Sequence, residues 1–395
     1  MHLFPLIIRK LRLSNACLHI QQKLQCSSLN KPSINYTDAL NKLQSIWPNN
    51  GKSSLARNTI PCSSMHPTTR SPLGVDCVSR MYPRRLDLQI IIPVYNCGPY
   101  IRECLDSVLG QQTHYQFVVF IVDDGSTDES SCIIDTYQAD HRVHIIHQEN
   151  AGPSAARNVA LSHLCAEYVM FVDGDDRLPA HAIETLMNEA HRTKADVVEG
   201  GFYRFNQSKE AYDYYTPTSY TGNEYDRLSG YVWGKVFHSS LFQRIAFPEG
   251  YWYEDSIATY LLHPFCRLVS QIPTPVYSYR KTPNSILHQL SISPRCVEGL
   301  WVTKQMLADA RELDIPFTEA YFSIFLNDSI NTLSAIYTYA KDAEVLTAVL
   351  VVLHQLRNEY FPKKYQPRDV RFRWLNAIIN RMDSKLCISF IKLMA

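Results

Sequence analysis

Residues 117–128 read FVVFIVDDGSTD. Six consecutive apolar residues rich in Val, Ile and Phe, with no polar alternation, read as a strand buried on both faces. The run stops at Asp123 and Asp124, and Gly125, Ser126 and Thr127 make a tight exit turn. Carboxylates at the end of a buried strand are costly unless a cation or hydrogen-bond donor compensates them. PVYN at 93–96 and VDGDD at 172–176 close two further apolar runs in the same way.

Outward from this stretch the chain alternates. LDLQIIIPV (86–94) precedes it as a strand, with GPYIRECLDSVLGQQ (98–112) carrying Ile101, Cys104, Leu105 and Val108 at helical spacing. After it come a helix opened by Asp128, the strand VHIIH (143–147), and a helix beginning near Pro153. The strand EYVMFVD (167–173), a helix over 180–192 and the strand ADVVEGGFYRF (195–205) follow. Such alternation predicts an α/β fold, a mostly parallel Rossmann-like sheet with helices on both faces. Ligands of such sheets bind beyond the carboxyl ends of the strands, where the polar clusters fall.

The bulk numbers bound the function. A 395-residue chain holds enough core for two folded regions, and a net charge of +1 argues against a protein that wraps nucleic acid. Eleven scattered cysteines without a C-x-x-C pair fit reduced thiols in the cytoplasm and argue against zinc. The start, MHLFPLIIRKLRL, lacks the charged-then-apolar order of a signal peptide.

Residues 1–85 carry twelve Lys/Arg against two acids and read as a poorly ordered basic extension, with a tether to an anionic surface as the sharper reading. Short helical stretches fit 3–13 and 36–46 within it. Residues 86–290 read as one folded α/β domain, whose halves 86–205 and 206–290 the resemblance described next assigns to nucleotide and acceptor, and 291–395 as a helical region. VRFRWLNAIINRMDSKLCISFIKLM (370–394) reads either as a basic amphipathic helix on the cytoplasmic face of a membrane or as a helix packed on the α/β domain.

PVYN (93–96), CLDSVLGQ (104–111), VDDGSTD (122–128), NAGPSAARN (150–158), VDGDD (172–176), WGKVF (233–237) and YEDS (253–256) together resemble family 2 glycosyltransferases. The resemblance spans residues 86–285. It implies an inverting, metal-dependent enzyme of GT-A fold that moves a sugar from a UDP-sugar to a hydroxyl of a glycan or lipid-linked acceptor, in cell-surface polysaccharide synthesis. A sugar nucleotidyltransferase would show a Gly-rich, Arg/Lys-bearing loop after the first strand, which PVYNCGPY lacks. A non-catalytic nucleotide-sugar-binding protein is the other alternative.

The resemblance also implies roles. Asp124 meets the uracil; Tyr95 lies against the base and Pro93 lines the cleft, unless Pro93 only packs the strand end. Arg157, early in a helix whose N-terminus favours anions, serves the nucleotide site or a structural salt bridge. Asp173-Gly174-Asp175 is the D-x-D motif, and period-two alternation through an extended segment would point both carboxylates one way. Asp175 would then bind Mn²⁺ or Mg²⁺ and Asp173 the ribose or the metal, with His288 completing the shell. Asp176 reads as a helix cap or a structural carboxylate. Lys235 would meet the diphosphate and Trp233 an acceptor sugar. Asp255 would be the general base, with Glu254 in reserve.

Overall fold

Strand β1 (Leu86–Val94) runs inside a parallel block, between β2 (Phe117–Asp123) and β4 (Ala166–Phe171), with β3 (Val143–His147) outside β2. This computed structural model describes residues 34–46, 86–206, 209–243, 245–282 and 293–394. All seven residues of β2 are buried, as its unbroken apolar run requires.

β1 shows how both faces are covered. Leu88, Ile90 and Ile92 share one core with the helices Gly98–Leu109 and Ala182–Thr193. Gln89 points the other way, toward the helix Pro153–Ser162. Its amide donates to the Ala160 carbonyl at 2.9 Å and accepts from the Cys165 N–H at 3.0 Å, so this buried polar side chain is satisfied.

Beyond residue 205 the sheet continues with a change of direction, which explains why the regular alternation fades there. β8 (Lys235–His238) lies antiparallel between β4 and β5 (Val197–Asn206), and β9 (Val269–Arg280) runs parallel to β5. β6 (Lys209–Tyr215) pairs with β5, and β7 (Tyr220–Gly222) pairs with β9. Because β8 opposes both its neighbours, β1 to β5 and β9 all run the same way. Their carboxyl ends therefore share one edge.

The remaining described residues form a separate helical unit. It comprises the helices Glu298–Glu312, Glu319–Ala340, Ala343–Tyr360, Val370–Arg381 and Ser384–Met394. Helix Tyr36–Ile46 belongs to it: Ala39 and Leu43 are fully buried and Lys42 pairs with Glu344 at 2.5 Å. Residues 36–46 are thus an integral piece of a folded unit and not part of a loose extension. The expected helix over 3–13 lies outside the described residues.

The reading of 370–394 as one membrane-surface helix needs correction. The chain breaks at Met382 (φ +53°), and the Asp383 carboxylate accepts from the Leu386 N–H at 2.9 Å. Leu375, Ile378 and Ile379 before the break, and Leu386, Phe390 and Ile391 after it, are buried. Phe372, Trp374 and Ile388 stay partly exposed. Among the described residues no helix is long and apolar enough to cross a membrane.

Candidate active site

Arg157 is the hub of the shared edge. It lies on helix Pro153–Ser162, buried, with its guanidinium split between two carboxylates. Nη2 donates to Asp173 Oδ1 at 2.8 Å and Nη1 to Glu254 Oε1 at 3.1 Å. The planar fork suits this two-sided task where a lysine would not. The next residue braces the same region: the Asn158 amide donates to the Phe247 carbonyl and to Glu249, and accepts from the Phe247 N–H. The segment leading to Glu254 and Asp255 is thereby tied to the helix that carries Arg157.

Asp173, Asp175 and Asp176 sit on a turn rather than on an extended strand. β4 ends at Phe171, and the Asp176 N–H closes the turn on the Asp173 carbonyl at 3.0 Å. Period-two alternation is therefore not what brings Asp173 and Asp175 together; the turn is. Gly174 fits here for a steric reason, since a Cβ would come 3.2 Å from the Pro93 carbonyl oxygen.

The three acids have different surroundings. Asp176 is buried and structural, accepting from the Tyr277 hydroxyl at 2.7 Å and from the Arg280 N–H at 2.6 Å; it caps no helix. Burial, with Asp175 and Asp173 close by, holds its pKa well above the carboxylate range. The Asp175 carboxylate receives no hydrogen bond from a neighbouring described residue, and burial followed by Asp173 pushes it up to about 6. Asp173 gives one oxygen to Arg157 and keeps part of its side chain exposed.

Glu254 and Asp255 face the same guanidinium from another element. Glu254 is buried and raised by burial, against the pull of Arg157. The Asp255 carboxylate accepts no hydrogen bond from the described residues, and burial followed by Glu254 pushes it up to about 8. One carboxylate is committed to an ion pair and the other is left available for a proton.

Asp124 is buried behind the exit turn. Its carboxylate accepts from Gln148 Nε2 at 2.6 Å, the Ala151 N–H at 2.9 Å and the Gly152 N–H at 2.8 Å. It anchors the 148–152 loop, and burial raises its pKa. Gly125 is required in that turn: its φ is +73°, and a Cβ would fall 2.8 Å from the Asn150 nitrogen. Tyr95, at the end of β1, exposes 49% of its surface, an open aromatic face at the edge; Pro93 is partly buried beside it.

Two expected ligand contacts need correction. Lys235 is fully buried, and its ammonium donates to Glu199 at 2.8 Å, the Ser229 hydroxyl at 2.7 Å and the Tyr231 carbonyl at 2.7 Å. Its three donors are used, leaving none for a diphosphate. Trp233 is 4% exposed and stacked between Tyr231 (4.2 Å) and Tyr277 (4.5 Å), so neither ring face can receive a sugar. His288 lies outside the described residues.

Two residues of β9 escaped the sequence reading. The Tyr277 hydroxyl accepts from the Asp173 N–H at 3.1 Å while donating to Asp176. Arg280 Nε donates to the Asp175 carbonyl at 2.6 Å. Alternating Tyr277 and Tyr279 just before Arg280, at the end of a strand, was the available signal.

Among the described residues no group of three or more His, Cys, Asp or Glu side chains is arranged to hold a metal ion. The donor set still suits a hard cation of Mg²⁺ type. Such ions are held by one or two carboxylates and complete their shell with waters and substrate phosphates. Asp175 and the second oxygen of Asp173 could supply that pair, and a cation there would relieve the crowding that raises Asp175.

Comparisons with known proteins agree with this picture. Residues 89–250 match the Glycosyl transferase family 2 domain. The chain is 33% identical over 217 residues to glycosyltransferase GlyA of Streptococcus pneumoniae serotype 4, covering 50% of this chain and 31% of GlyA. It is 30% identical over 224 residues to GlyG of the same organism, covering 51% of this chain and 72% of GlyG. It thus spans less than a third of GlyA's length and nearly three quarters of GlyG's. The S. aureus TarS 1–349 structure in complex with UDP-GlcNAc superposes with a TM-score of 0.61 at 19% identity, over 78% of this chain and 91% of that one, which is a likeness of GT-A fold. The chain belongs to glycosyl transferase family 2.

Proposed function

We propose that the chain transfers a hexosyl or N-acetylhexosaminyl group from a UDP-sugar to a hydroxyl of a glycan or lipid-linked acceptor, with inversion at the anomeric carbon. The observation that carries this reading is the pair Glu254–Asp255. One carboxylate is held by Arg157 and the other, unbonded and raised to about 8, is poised to exchange a proton. UDP-GlcNAc bound to TarS, a protein of the same fold, supports the choice of donor class.

In this reading the nucleotide lies along the carboxyl edge, with Tyr95 against the base and Asp124 holding the 148–152 loop beside it. Asp255 takes the acceptor hydroxyl's proton as that oxygen bonds to the anomeric carbon. The bond from that carbon to the β-phosphate oxygen breaks, UDP departs, and the proton stays on Asp255. Arg157 keeps Glu254 and Asp173 in place, which orients the base segment and the D-x-D turn together. A divalent cation on Asp175 and Asp173 would neutralise the departing diphosphate as a Lewis acid. General-base assistance of this kind contributes about 10²–10⁴-fold.

A panel of nucleotide-sugars scored by UDP release, with the product's mass and anomeric configuration determined, tests the proposal. An inverted glycoside from one UDP-sugar is expected. Retention of configuration, or no UDP release from any donor with any hydroxyl acceptor, would refute it.

A further inference from the structure

Arg357 is 3% exposed, yet no carboxylate among the described residues pairs with it. It sits in the last turn of helix Ala343–Tyr360. Its partners carry no charge: Asn376 Oδ1 at 3.2 Å, the Phe361 carbonyl at 3.4 Å, the Lys363 carbonyl at 3.5 Å, and the Phe322 ring, whose centre lies 5.5 Å from the guanidinium carbon. Buried charges in folded proteins are normally paired, because an uncompensated one carries a desolvation cost of several kcal/mol. Burial accordingly pulls the guanidinium below its ordinary pKa.

The acids nearby are committed elsewhere. Residues 357–395 contain nine Lys/Arg and three acids. Glu359 pairs with Arg311 at 3.2 Å, Asp369 pairs with Arg371, and Asp383 accepts from Leu386. Arg357 also does not close a solid core. It lines a cavity of ≈ 360 Å³ together with His354, Asn358, Lys363 and Asn380. Every one of these side chains can donate a hydrogen bond, and none is acidic. Burial keeps the His354 imidazole below its ordinary pKa, and its Nε2 lies 2.8 Å from Asn358 Nδ2, so it adds no second fixed charge to the cavity.

We propose that this cavity in the helical unit is a binding site for a phosphate group. Arg357 would form its floor, Lys363 its rim, and the amides of Asn358 and Asn380 its sides. A tetrahedral oxyanion would accept from Arg357 and Lys363, and its charge supplies the anionic partner that Arg357 lacks; Asn358 Nδ2, 2.8 Å from His354 Nε2, and Asn380 Nδ2, 3.5 Å from Asn376 Oδ1, flank it. The site is independent of the sugar-transfer chemistry and stands whether or not that reading holds.

The test is a calorimetric titration of the full chain with inorganic phosphate, at constant ionic strength and with EDTA present. Saturable binding is expected, weakened about tenfold by Lys363→Gln, the scale of one charge-assisted hydrogen bond. Arg357→Gln should abolish it; because that change also removes hydrogen bonds that tie the helix end, the exposed Lys363→Gln carries the test by itself. Glycerol 3-phosphate and vesicles containing phosphatidic acid distinguish the source. Tight binding of the first alone indicates a soluble phosphate-bearing ligand, and Lys363-dependent capture by vesicles indicates a lipid headgroup. Absence of saturable phosphate binding, or binding equal in wild type and Lys363→Gln, would overturn the proposal.

Discussion

Arg157 Nη2 lies 2.8 Å from Asp173 Oδ1, joining the helix that follows β3 to the turn that follows β4. The same guanidinium holds Glu254, so a single cation compensates two carboxylates that would otherwise be unpaired. Arg157→Ala should lower unfolding free energy by roughly 3–5 kcal/mol, the cost of breaking a buried pair from one side. Arg157→Lys should recover part of this, since an ammonium can reach one carboxylate but not bridge both. Denaturant unfolding of the three proteins decides the matter; equal midpoints would show that the bridge contributes nothing.

Asp255→Asn keeps the side-chain shape but cannot take a proton. It should bind UDP like wild type and transfer about 10²–10⁴-fold more slowly. Since Asp255 is raised to about 8, wild-type kcat/KM should climb with pH through that region as the carboxylate ionises. Below it the protonated form predominates and the rate falls. Loss of the ascending limb in Asp255→Asn is expected. If that variant stays active while Glu254→Gln is dead, the base is Glu254.

Asp175→Ala should fold normally and lose cation-dependent UDP binding. Calorimetry with UDP, with and without Mn²⁺, should show tighter binding with the ion in wild type and no such gain in the variant. Turnover unchanged by excess EDTA would remove the metal from the mechanism.

Tyr277→Phe removes one oxygen that serves both Asp173 and Asp176. The buried Asp176 carboxyl then loses a partner, worth about 1–3 kcal/mol. Donor KM should rise more than kcat falls, because the turn is displaced while Asp255 is untouched. A kcat loss at constant KM would contradict a positioning role.

Leu43 is fully buried in the helical unit. Leu43→Ala should destabilise that unit by about 2–5 kcal/mol, as for other buried leucines. Thermal unfolding of the variant, and of a chain lacking residues 1–46, should show the same early loss of helix. No change in either would return 36–46 to the status of a passive extension.

The parallel block was legible because buried strands and amphipathic helices leave different periodicities, and β1, β2 and β4 each end in or beside a polar cluster. Asp173, Asp175, Glu254 and Asp255 were legible from motif order. Lys235 and Trp233 were misread because motif position says nothing of burial. Glu199, which takes the charge of Lys235, sits in a strand with no motif at all. Tyr277 and Tyr231, which cover Trp233, are ordinary strand tyrosines until β8 and β9 are folded against each other. Arg157 could be placed near the site, but its two carboxylate partners lie 16 and 97 residues away, beyond the reach of local patterning.

The pair Glu199–Lys235 has a consequence for how the chain reaches this fold. β8 contributes four residues, yet it joins β4 to β5 across long sequence separations, and contacts of that kind form slowly. The βα repeats before it are built from nearby pieces and can assemble first. When β8 then enters, a slip of one residue would turn Lys235 to the opposite face and strand the Glu199 charge in the core. Ser229 and Gln271 also hydrogen-bond Glu199, so the penalty is felt from three segments at once. The ion pair thus works as a key for the closing strand: an incorrect insertion is rejected by its own electrostatics before the two halves of the sheet are sealed.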